Sequence, residues 1–127
     1  MKRALTVAAS FTVIVALGCA VADADHLVSP GEAVFIRECA KCHQVGENAR
    51  NRVGPVLNGI FGRQAGTVPG FRNYSDALRQ SGIIWTAENF RSFVKNPKAM
   101  VVGTKQVYRG LKDDESVTLL IEFLKTK

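Results

Sequence analysis

Cys39-Ala40-Lys41-Cys42-His43 is the stretch of this chain best equipped for chemistry. Two thiols two residues apart, followed at once by histidine, form the pattern of a covalent haem attachment site. On one helical turn both sulfurs reach the two vinyl groups along one porphyrin edge, and His43 gives the iron a nitrogen ligand. A closed zinc site needs two further ligands, and the remaining cysteine and histidine are Cys19 and His26, both outside the main domain. A thioredoxin-type pair belongs in a βαβ setting, which is not visible here. No Ser-His-Asp set, phosphate loop or paired carboxylate competes for attention.

The elements that must hold this motif are helical. Ser29 caps a first helix, with Pro30 in its first turn and Glu32 at capping-box spacing. That helix is expected to run to about Cys42, with Val34, Phe35 and Cys39 on one face. Val45 to Arg72 is a long glycine- and proline-rich loop, of the kind that is usually functional in a compact domain. Tyr74 to Gln80 suggests a short helix ended by Gly82. Thr86 opens another, ended by Asn96-Pro97. Lys98 to Leu111 reads as a second irregular loop. Asp113 or Asp114 starts the last helix, with Val117, Leu120, Ile121 and Leu124 as its apolar stripe. No strand pattern or repeat persists, so the fold class is all-α.

The 127 residues suffice for one domain. Residues 1–22 read as a signal peptide: Lys2 and Arg3, then an apolar run, then Ala20-Val21-Ala22 as a small-x-small cleavage site. Residues 23–28 form a short tail and residues 29–127 the domain. A retained leader or a lipid on Cys19 is the lesser route to a membrane. Losing Lys2 and Arg3 leaves 15 basic against 11 acidic residues, and the net charge falls from +6 to +4. This moderate excess favours acidic partner surfaces. An exported chain without a basic run is a poor match to nucleic acid. A mature domain of about 105 residues is small for a self-sufficient core, and a buried porphyrin would add core material.

Beyond the haem motif stand Val53-Gly54-Pro55-Val56-Leu57-Asn58-Gly59-Ile60-Phe61-Gly62-Arg63, Pro69-Gly70-Phe71 and Gly82-Ile83-Ile84-Trp85-Thr86. Asn96-Pro97-Lys98, Gly103-Thr104-Lys105 and Gly110-Leu111-Lys112 follow in order. Through these, residues from about Ser29 to Lys127 resemble a class I c-type cytochrome of the mitochondrial and related bacterial type. The resemblance implies three to five helices and long loops around one haem c, held through Cys39 and Cys42. It makes His43 the proximal ligand and the Pro55 carbonyl the acceptor for its far nitrogen. Arg63, Tyr74 and Trp85 would surround a haem propionate. Gly31 and Phe35 on the first helix would cross Leu120 and Phe123 on the last.

One position departs from that family. The residue after Gly103-Thr104-Lys105, where the family carries its axial methionine, is Gln106. The first reading makes Gln106 the sixth ligand through its amide, a harder donor that favours ferric iron and lowers the potential. The alternatives are a loop rearranged to bring Met100 or Lys105 to the iron, and a sixth position held by water or by nothing. Three neighbours also differ: Phe93 replaces a frequent tyrosine, Tyr108 adds a hydroxyl to the aromatic that shields the haem edge, and Leu78 makes the pocket drier.

The resulting expectation is a periplasmic one-electron carrier, not an enzyme. Its partners would be redox proteins (oxidase, reductase or dehydrogenase) with acidic docking surfaces. Lys41, Lys98, Lys105 and Lys112, with Arg52, would ring the exposed haem edge. The competing expectations are a ligand-binding or peroxidatic haem protein with an open sixth site, and a dedicated electron-accepting subunit of a dehydrogenase.

Overall fold

In the computed structural model, residues 27–127 are described, and the leader, Cys19 and His26 lie outside them. Among the described residues five helices follow one another: α1 (Pro30–Glu38), α2 (Asp76–Gln80), α3 (Ala87–Lys95), α4 (Pro97–Met100) and α5 (Asp114–Lys125). Each long helix starts where the sequence supplies a cap. The Ser29 hydroxyl accepts from Glu32 N–H at 3.2 Å, the Thr86 hydroxyl from Asn89 N–H at 3.0 Å, and the Asp113 carboxylate from Ser116 N–H at 2.7 Å.

Helix α1 crosses α5, and α3 packs on both α5 and α4. The α1–α5 crossing depends on a missing side chain. A Cβ on Gly31 would collide with the Leu119 carbonyl oxygen and stand 2.7 Å from Phe123 Cβ. Beside it Phe35 and Phe123 lie with ring centroids 5.6 Å apart, and Leu120 is fully buried. Gly31, Phe35, Leu120 and Phe123 thus meet as expected. So does the α5 stripe: Val117, Leu120, Ile121 and Leu124 are all buried. On the surface, Asp114 receives Lys95 at 2.8 Å and Arg91 at 3.6 Å, tying α3 to α5.

Two expectations need correction. Helix α1 stops at Glu38 and does not run to Cys42. Ala40 N–H reaches back five residues to Phe35 C=O, and the chain then tightens into a turn in which Cys42 and His43 N–H both donate to Cys39 C=O. This turn sends His43 towards Pro55, which a continued helix would not. Secondly, Lys98 to Leu111 is not wholly irregular. Pro97 opens the one-turn helix α4, whose cap is the Asn96 side chain accepting from Ala99 N–H. The remaining loops wrap a cavity between α3 and the Cys39–His43 turn. The only strand-like pairing among the described residues is one bridge between Gln64 and Ile84.

Candidate haem site

The cavity has two adjoining lobes of about 270 and 310 Å³. His43, Cys42, Trp85, Phe93 and Gln106 line both lobes, and Cys39 lines the second. Cys39 and Cys42 are free thiols, and burial pushes Cys39 up to about 12, so it is a neutral thiol before any bond is made to it.

His43 is fixed from two sides. Its Nδ1 lies 2.7 Å from the Pro55 carbonyl oxygen, which can only accept, so Nδ1 carries the proton. Burial pulls the imidazole below its usual range, with the Pro55 bond opposing. The ring is therefore neutral at pH 7, and its Nε2 lone pair is free for a metal. Gly54 closes the other side, where its N–H donates to Cys42 C=O at 2.9 Å while its Cα faces the ring. Asparagines pin the surrounding loop. Asn58 both donates to and accepts from the Gly46 backbone (2.7 and 2.8 Å), and Asn51 joins Pro69 C=O to Val56 N–H.

Arg63, Tyr74 and Trp85 line the first lobe together. The Arg63 guanidinium donates to Asn58 C=O at 2.9 Å and Val56 C=O at 3.3 Å. No carboxylate pairs with it among the described residues, and none lines that lobe. The Tyr74 oxygen accepts from Val68 N–H at 3.2 Å, which leaves its own proton to donate. The Trp85 indole N–H has no acceptor among the described residues, and the indole packs edge-on against Phe93 at 5.1 Å. An apolar cavity with two thiols on one edge, a neutral imidazole in its wall and unspent cationic and N–H donors fits a porphyrin bearing carboxylates. No three His, Cys, Asp or Glu side chains converge on a metal site among the described residues.

Gln106 is half-buried. Its N–H donates to Thr104 Oγ1 at 3.2 Å, and its side-chain amide has no partner among the described residues. Lys105 lines the first lobe, but its ammonium donates to Asn73 Oδ1 at 3.3 Å. Met100 ends α4 and lines neither lobe. Leu78 lines the first lobe and Tyr108 the second.

No family model matches the chain. Among relatives, cytochrome c2 of Blastochloris viridis is 52% identical over 95 residues, covering 75% of this chain and 73% of that protein. Cytochrome c-554 of Methylosinus trichosporium is 47% identical over 110 residues, or 87% of this chain and 80% of the relative. The chain belongs to the class I c-type cytochromes. The fold agrees: cytochrome cH from Methylobacterium extorquens matches with a TM-score of 0.72 and 38% identity over 79% of this cytochrome and 98% of that chain. As a member of this family the cytochrome carries one covalent haem c and is an electron carrier, not an enzyme. No helix among its described residues is long and apolar enough to cross a membrane.

Two contacts escaped the sequence reading. Gly54 was legible as part of a motif but not as the residue under the imidazole. Glu38 accepts the Tyr108 hydroxyl proton at 2.7 Å across 70 residues, and no local pattern announces such a pair.

Proposed function

We propose that this cytochrome is a periplasmic mono-haem carrier whose iron would be held by His43 and Gln106. Haem c supplies a one-electron ferric/ferrous couple when bound. The chain fixes that couple with its own groups. Pro55 holds the Nδ1 proton and so keeps Nε2 as the donor atom. Arg63, Tyr74 and Trp85 receive the propionates. Gln106 offers an amide in place of a thioether, and a harder donor favours the ferric state. Cys39 and Cys42 hold the porphyrin edge. The leader over residues 1–22 delivers the domain to the periplasm.

The observation that carries the Gln106 reading is its position: it shares both cavity lobes with His43 and its amide has no protein partner among the described residues. Met100 lies away from the cavity, and Lys105 is engaged by Asn73. Docking falls to the exposed cations. Lys41 and Lys105 stand at the cavity rim, and Lys98, Lys112 and Arg52 are exposed as well. Such cations suit an acidic patch on a redox partner.

The test is Gln106→Met. If position 106 meets the iron, this change raises the midpoint potential and creates a near-infrared sulfur-to-iron band. An unchanged spectrum and potential would remove Gln106 from the coordination sphere. A wild-type ferric spectrum that is high-spin would do the same.

A further inference from the structure

The segment that presents Gln106 is held almost wholly by side chains. Thr104 N–H donates to Val101 and Leu111 N–H donates to Val94, but residues 105–110 between them make no backbone–backbone hydrogen bond among the described residues. Three side-chain bonds remain. The bond from Gln106 N–H to Thr104 is local, and that from Lys105 to Asn73 is 3.3 Å long between exposed groups. The third is the Tyr108 hydroxyl donating to Glu38 Oε2 at 2.7 Å. Glu38 immediately precedes Cys39, and its other oxygen accepts from Arg37 Nε at 2.7 Å, which holds the carboxylate in place. Glu38, Cys39 and the Tyr108 ring line the same lobe.

We propose that Tyr108 and Glu38 form a latch. It fastens the 105–110 segment to the residue next to the attachment motif and keeps small ligands from the sixth side of the iron. Both are positioning residues, and neither touches the metal. A phenyl ring alone would fill the same apolar wall, so the hydroxyl is needed only for the bond. Because its acceptor is ionised, that bond is stronger than a neutral one. The inference rests on the reading that Gln106 faces the iron, since that is the side the latch closes.

The test uses the ferric holoprotein with imidazole as the probe, read from the haem absorption spectrum. Tyr108→Phe and Glu38→Ala should each raise imidazole affinity roughly five- to tenfold. The double variant should gain little beyond either single one. Glu38→Gln, whose amide oxygen accepts the same proton without the charge, should fall between wild type and Glu38→Ala. Wild-type affinity in Tyr108→Phe, or additive effects in the double variant, would overturn the latch. An equal rise in Arg91→Ala, which loosens only the α3–α5 surface, would also overturn it. Gln106→Ala separates the two readings. If that change leaves affinity unmoved while Tyr108→Phe raises it, the ligand assignment fails and the latch stands.

Discussion

A Cβ on Gly54 would stand 2.7 Å from both nitrogens of the His43 ring. The backbone of Gly54 cannot retreat, because its N–H is bonded to Cys42 and the next carbonyl, that of Pro55, holds the imidazole proton. Gly54→Ala must therefore tilt the ring or lift the strap. The expected cost is about 1–3 kcal/mol of holoprotein stability, typical of overpacking, together with a lower yield of covalent haem. Guanidinium unfolding followed at the haem band measures the first, and a wild-type midpoint would contradict the account.

At the α1–α5 crossing the same logic acts away from the haem. Gly31→Ala places a methyl group against the Leu119 carbonyl and Phe123. Stability should fall by about 1–3 kcal/mol while the haem spectrum and potential stay as in the wild type. A changed spectrum would mean that the crossing and the site are not separable.

Arg63 brings positive charge to the first lobe, and no protein carboxylate pairs with it among the described residues. Removing that charge in Arg63→Gln favours the more positive, ferric state, so the midpoint potential should fall. Redox titration decides the matter, and an unchanged or raised potential would place Arg63 outside the electrostatics of the couple.

Acid should loosen the domain through three carboxylates. The bond to Arg37 is the main cause that lowers Glu38 from its ordinary 4.5, the bond to Ser116 lowers Asp113 from 3.8, and the bond to Lys95 lowers Asp114 from 3.8. Each group binds fewer protons folded than unfolded. Its contribution is therefore complete above those ordinary values and is lost as pH falls through the folded ones. Thermal midpoints should be level between about pH 7 and 5 and decline below about pH 4. Glu38→Gln should make the decline shallower, and an identical acid profile in that variant would remove Glu38 from the set.

Helix starts were open to sequence reading because the cap is local chemistry. Ser29, Thr86 and Asp113 each bind an N–H three residues ahead; the first two were identifiable from their neighbours, and the third only as Asp113 or Asp114. The end of α1 was not. Cys39 and Ala40 have no helix-breaking character, and the chain leaves the helix because His43 must meet Pro55, twelve residues on. The α4 turn was hidden inside a segment whose cap, Asn96, also ends α3. At the site, the residues around the cavity were legible through the motifs of a family resemblance. The Glu38–Tyr108 bond was not, since it joins side chains from opposite ends of the domain.

The same crossing of α1 over α5 makes closure of the domain a long-range event. Residue 31 finds its partner at residue 119, so the closure cannot be made until nearly the whole domain has emerged. The first and last helices therefore close the domain together, and no shorter piece of the chain can make that contact.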